Sequence, residues 1–174
     1  MKPTEEDIRI LFEGKSEDYM KLYEQELDDF VDYDDFEELK QLDEPEKLVS
    51  LFELLFTIPV GKEDDDDEVV LALGEEFLPY EVDADYADNG LMITAKGQEH
   101  FMILKNAPED RYQTLRKLNE IISPEHEMRV MQICLNDDIH SFIILESNTW
   151  KDLEKKYGAK VKEHFASIND AEFL

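Results

Sequence analysis

Carboxylate oxygen is the reactive group this sequence offers in greatest supply. Of its 174 residues, 45 are Asp or Glu, against 18 Lys and Arg. Clustered carboxylates attract hard divalent cations. The segment Asp83-Ala84-Asp85-Tyr86-Ala87-Asp88-Asn89-Gly90 has the look of a calcium loop. A loop of the EF-hand type needs oxygen ligands at positions 1, 3 and 5, Gly at 6 and a bidentate Glu at 12. Counted from Asp85, Asn89 and Gly90 fall correctly, but position 3 is Ala87 and position 12 is Lys96. The segment therefore reads as an acidic turn entering a strand. Asp83, Asp85 and Asp88 stay as candidate ligands of a weaker, non-EF-hand cation site.

Other chemistry finds less support. His100, His126, His140 and His164 show no zinc spacing, although His100 and His140 fall on expected strands and are placed to face one another. Cys134, the lone cysteine, sits in an apolar strand context, where burial makes a thiol inert. One cysteine forms no internal disulfide. There is no Gly-x-Ser-x-Gly elbow, no Ser-x-x-Lys and no phosphate-binding glycine loop. So many acids make carboxylate pairs inevitable, so a carboxylate-based hydrolase remains an alternative without designated catalytic residues. No cofactor is called for.

Charge narrows the partners. The formal net charge is −27, which repels phosphate backbones and excludes a direct nucleic-acid binder. Residues 1–88 hold 31 acids and 7 bases, whereas residues 89–174 hold 14 and 11. Within the acidic half, Tyr19, Tyr23, Phe30, Tyr33 and Phe36 interleave with carboxylates. Asp28, Asp29, Asp32, Asp34, Asp35, Glu37 and Glu38, with Tyr33 as an anchor, are the candidate partner-binding residues. Aromatic anchors inside an acidic rim suit a basic protein. The leading expectation is a non-enzymatic interaction module, of which an immunity or inhibitor protein covering a cationic toxin is one version. The alternatives are a divalent-cation-binding protein and the hydrolase above.

The elements that must position these residues follow from periodicity. Thr4 and Ser16 are placed to cap helices. Tyr19, Met20, Tyr23, Leu27, Phe30 and Val31 form one helical stripe. Asp43-Glu44-Pro45-Glu46 starts a buried helix through Phe56, stopped by Pro59 and Gly61. Acids at its start favour a helix over residues 65–78. Strands are expected at Leu91–Ala95, His100–Leu104, Met128–Leu135 and Ile139–Glu146. A helix follows Asn106-Ala107-Pro108, another carries Trp150, Leu153 and Tyr157, and a last short one carries Val161, Phe165 and Ile168. The fold class is α+β: a helical N-terminal half, residues 1–88, packed with an antiparallel sheet of about four strands in ββαββα order, residues 89–174, in one compact domain.

The C-terminal segment Asp138-Ile139-His140-Ser141-Phe142-Ile143-Ile144-Leu145, with Trp150, Leu153, Glu154, Tyr157, Gly158, Val161 and Phe165, resembles the tail of a family of uncharacterised bacterial proteins. That resemblance implies a bacterial cytosolic origin and carries no activity or cofactor. The N-terminus lacks a basic-then-apolar leader, and the apolar stretch Leu48–Val60 is too short and too polar to span a bilayer. A soluble cytoplasmic protein without membrane partners is expected, its oligomeric state left open.

Overall fold

Thr4 begins the first helix by a reciprocal cap. The computed structural model describes residues 1–30, 33–61, 63–105, 110–135 and 138–169. Helix α1 (Glu5–Glu13) is opened by the Thr4 hydroxyl, which accepts the Asp7 backbone N–H at 3.3 Å. The Asp7 carboxylate accepts in return from Thr4 N at 2.7 Å and Thr4 Oγ1 at 2.6 Å. Helices α2 (Ser16–Leu22), α3 (Glu24–Phe30), α4 (Tyr33–Gln41) and α5 (Glu44–Phe56) follow. Asp43 caps α5 by accepting from Glu46 N at 3.0 Å, with Pro45 in the first turn. Together these form one compact unit, Met1–Thr57.

The expected single helix from Ser16 onward is broken at Tyr23, whose backbone leaves helical geometry (φ −123°, ψ 31°). Tertiary contacts hold it there. The Tyr23 ring meets Phe56 edge-on at 5.3 Å, and its hydroxyl donates to Asp7 Oδ1 at 2.7 Å. Tyr19 is fully buried, packs against Phe52 and Phe56, and donates its hydroxyl to the Asp7 carbonyl. Ser16 does not cap α2 by its side chain; it donates to Glu44 at the start of α5. Helix α5 buries Leu51, Phe52, Leu55 and Phe56 but leaves Leu54 exposed, so it is amphipathic rather than buried all round.

The second unit runs Ile58–Leu174. Its elements are β1 (Ile58–Gly61), α6 (Asp66–Phe77), β2 (Val82–Ala87), β3 (Gly90–Ala95), β4 (Gln98–Ile103), α7 (Asp110–Ile122), β5 (His126–Met131), a 3-10 turn (Gln132–Cys134), β6 (Ile139–Glu146), α8 (Ser147–Tyr157), α9 (Ala159–His164) and β7 (Phe165–Ser167). Two antiparallel sheets result, ordered β1-β6-β5-β7 and β2-β3-β4. Helix α6 packs on β2 and β3 and also on β1 and β6, while α7 packs on β3, β4 and β5. The two helices thus form a layer shared by both sheets. Helix α8 packs on β5 and β6. Its Trp150 is buried and donates Nε1–H to the Glu127 carbonyl at 2.9 Å. Arg129 lies 4.2 Å over the Trp150 ring and pairs with Glu127 and Glu154 at 2.8 and 2.7 Å.

The α+β class holds, with nine α-helices and two sheets among the described residues. The finer order needs correction. One four-stranded sheet is replaced by two sheets, because α6 and α7 bury an inner face of each. Ile58–Gly61, expected only to stop a helix, pairs with β6 as an edge strand, where Pro59 is tolerated. Val82–Ala87 adds β2 to the expected β3–β4 hairpin. The strand expected to reach Leu135 ends at Met131, and Cys134 lies in the 3-10 turn, buried. The last helix stops at His164, and Phe165–Ser167 pairs with β5 instead. The boundary between the compact units falls at Thr57, upstream of the charge boundary at Asp88, so the acidic start of α6 belongs with the sheets.

Two outcomes are expected. Burial pushes the Tyr19 and Tyr23 hydroxyls well above the usual tyrosine range, Tyr23 further through its hydrogen bond to Asp7. The unfolded chain therefore releases these protons first, above pH ~10. Stability from this pair is whole below that pH and is lost as pH rises through the folded values. Urea unfolding of the full chain should show a decline as pH rises above ~10 that Tyr23→Phe makes shallower. In the second unit, a Cβ at Gly74 would lie 2.7 Å from Val82 Cβ, so α6 and β2 touch through the missing side chain. Gly74→Ala gains ~1 kcal/mol of helix propensity but loses about 1–3 kcal/mol to overpacking. A net drop in the urea midpoint is the expected result.

Candidate functional site

The three-stranded sheet buries one face and leaves the other open. Alternation along the strands sends Val82, Ala84, Leu91, Ile93 and Ala95 inward, and all are buried. The opposite face is built in paired rows. Asp85, Met92 and Phe101 stand abreast across β2, β3 and β4. Asp83, Thr94 and Glu99 form the next row, and Ala87, Gly90 and Ile103 the row on the other side. Phe101 is 45% exposed and Ile103 60%. Met92 is half-buried beside them.

Gly90 makes this surface. A Cβ there would come within 2.7 Å of Phe101 Cζ. The Phe101 ring therefore lies over Gly90, and a Cβ there would also collide with the Met102 carbonyl oxygen, so a larger residue at 90 would displace the β4 backbone as well as the ring. Asp83, Asp85 and Glu99 rim the apolar centre, all exposed. The three strands contain no Lys or Arg. The face is thus an apolar strip in a negative field.

At the other end of the β3–β4 hairpin, Lys96 and Gly97 both take left-handed backbone (φ 54° and 73°), the signature of a type I′ turn. A cleft of 390 Å³ opens beside it, lined by Tyr80, Lys96, Glu125, His126, Glu146 and Asn148 with Pro79. Lys96 closes an ion pair with Glu125 and lies 4.7 Å over the Tyr80 ring. That bond raises the Lys96 pKa and lowers that of Glu125. The His126 ring packs edge-on against Tyr80 at 6.0 Å. These contacts pin the hairpin to the start of β5. His140 is buried, with Nδ1 3.0 Å from the Tyr112 hydroxyl, tying α7 to β6. It does not face His100, which lies on β4 in the other sheet.

The sequence-predicted residues fall as follows. Asp28 and Asp29 are exposed near the end of α3. Glu37 pairs with Lys40 at 2.8 Å on α4, and Glu38 is exposed. Tyr33, Asp34 and Asp35 lie in α4 with side chains outside the described residues, and Asp32 lies outside them altogether. Asp83 and Asp85 are neighbours on the open face of β2, whereas Asp88 takes the left-handed turn between β2 and β3 (φ 49°). Among the described residues no group of three His, Cys, Asp or Glu side chains is placed to hold a metal. The expected acidic turn is a hairpin turn between β2 and β3, with Asp83 and Asp85 on the strand that enters it and Asp88 within it.

Met92, Glu99, Phe101 and Ile103 were not singled out by the sequence. The available signal was parity: Glu99, Phe101 and Ile103 share one face of a strand, but the apolar Met102 between Phe101 and Ile103 masks the alternation. A calcium titration should leave the melting temperature where monovalent salt of equal ionic strength leaves it, since only a ligand specific to the native state raises stability. Among the described residues no helix is long and apolar enough to cross a membrane. No protein-family model, no curated protein and no solved structure matches the chain.

Proposed function

We propose that the protein is a non-enzymatic interaction module that binds a basic protein partner. The observation that carries this is the open face of the β2–β4 sheet, where exposed Phe101 and Ile103 on β4 share a face with Glu99 and, across Met92 and Thr94, with Asp85 and Asp83 on β2. Apolar anchors supply affinity when desolvated, and an acidic rim selects a cationic surface. The helical acids Asp28, Asp29, Glu37 and Glu38 add to the net negative charge that draws such a partner in. Covering a cationic toxin, as an immunity or inhibitor protein does, is a use this surface suits. We place the protein in the cytoplasm, where a lone buried thiol stays reduced.

The probe is an acetylated, amidated, fluorescently labelled octapeptide, Lys-Val-Thr-Val-Thr-Lys-Thr-Lys. Its affinity for the full chain should fall at least tenfold between about 50 and about 500 mM salt, as screening shortens the Debye length below ~5 Å. A triple variant, Asp83→Asn, Asp85→Asn and Glu99→Gln, should bind at least tenfold more weakly at low salt. A quadruple variant of the helical acids should mainly slow association, the usual effect of a remote charge. Wild-type affinity in the triple variant, or no binding at low salt, would overturn the reading.

A further inference from the structure

Strand β4 closes its sheet on one side only. The order β2-β3-β4 ends there, and among the described residues no strand pairs with its outer edge. The register fixes which backbone groups point outward. The two-residue turn Lys96-Gly97 makes Ala95 and Gln98 a hydrogen-bonded pair, and pairs alternate from there. His100 and Met102 therefore bond inward to Ile93 and Leu91. The Leu104 N–H, donated to the Asn89 carbonyl at 3.1 Å, continues the same alternation. Glu99, Phe101 and Ile103 stand in the non-bonded pairs, so their N–H and C=O groups face away from β3. These are also the residues whose side chains lie on the open face. One stretch of chain presents unpaired backbone, exposed apolar side chains and a carboxylate together.

We infer that a basic, extended segment of the partner adds to β4 as a fourth antiparallel strand. The inference rests on the function proposed above and specifies how the partner is held. Residues of the guest directly opposite Glu99, Phe101 and Ile103 share their face. An apolar residue opposite Ile103 and another opposite Phe101 extend the strip begun by Met92, and Lys or Arg opposite Glu99 completes an ion pair. The guest therefore reads apolar-x-apolar-x-basic from its N-terminal end. Main-chain bonds supply affinity and the alternate side chains supply selection. Exposed apolar edges invite pairing between copies of the same chain. Here a net charge of −27 per chain opposes that. A cationic guest removes that repulsion.

The octapeptide above matches this pattern. Two methylated forms test the backbone bonds. N-methylation of both valines and the lysine between the second and third threonines blocks the amides that would face β4. N-methylation of the threonines blocks only amides that face away. With wild-type full chain at low salt, the threonine-methylated form should bind within about threefold of the parent, and the valine-methylated form at least tenfold more weakly. Amide hydrogen exchange at Glu99, Phe101 and Ile103 should slow at least tenfold on binding, with His100 and Met102 little changed. In the protein, Glu99→Pro should lose far more affinity than Glu99→Gln, because proline removes an outward donor that the inner ladder does not use. Salt-sensitive binding with equal affinity for both methylated forms and unchanged exchange at those three amides would overturn strand addition while leaving the basic-partner function standing. Absence of binding by every peptide would overturn both. A dimer of the chain alone, with the same three amides protected, would show that the edge serves self-association and would overturn the inference.

Discussion

Everything in the sheet-bearing unit depends on one constraint: helices α6 and α7 are shared by two sheets. Val69, Val70, Leu73 and Phe77 of α6 are buried, and so are Leu115, Leu118 and Ile122 of α7. These side chains fill the space between β2-β3-β4 and β1-β6-β5-β7. Gly74 lets α6 approach β2 as closely as the Val82 side chain permits. The four-stranded sheet then receives α8 against β5 and β6, so its central strands are buried on both faces. The three-stranded sheet receives no such cover from the described residues. Its outer face keeps Phe101 and Ile103 in the solvent as a direct result of where the helices sit.

A chain this acidic folds by keeping carboxylates outside or satisfying them inside. Asp7 is the buried exception in the helical unit, at 2% exposure. It holds three hydrogen bonds, from Thr4 N, Thr4 Oγ1 and Tyr23 OH, which compensate its desolvation. Arg129 is the counterpart in the other unit, paired with two glutamates and stacked on Trp150. Glu127 and Glu154, in turn, have a use that leaves them unavailable to a partner. The acids of the open sheet face differ. Asp85 and Glu99 stand beside the apolar side chains of Met92 and Phe101 on an exposed face.

Much of the framework was legible in the residues, because local chemistry dictated it. Thr4 and Asp43 cap their helices as their types predict, and the acids Asp66, Asp67 and Glu68 do open α6. The β3–β4 hairpin was announced by Lys96-Gly97-Gln98. What escaped was decided by distant partners. Tyr23 leaves the helix because Asp7 and Phe56 hold it. Ile58–Gly61 carries both a proline and a glycine, yet pairing with β6 makes it a strand. Phe165–Ser167 continues a helical period into β5 for the same reason. Asp83 and Asp85 were singled out, with Asp88, as candidate cation ligands. Only the pairing of β2 with β3 sets them beside Met92 and Phe101, and no spacing rule in the sequence contains that register.

The proposed recognition surface is the β2–β4 face, and the acid-rich helices α3 and α4 are the alternative place for it. A backbone amide chemical-shift map of the full chain, titrated with the octapeptide at low salt, separates the two directly. The account predicts the largest shifts at Met92, Thr94, Glu99, Phe101 and Ile103, saturating together, with only small uniform changes over Asp28–Glu38. Shifts concentrated at Asp28, Asp29, Glu37 and Glu38, with β4 unmoved, would contradict it.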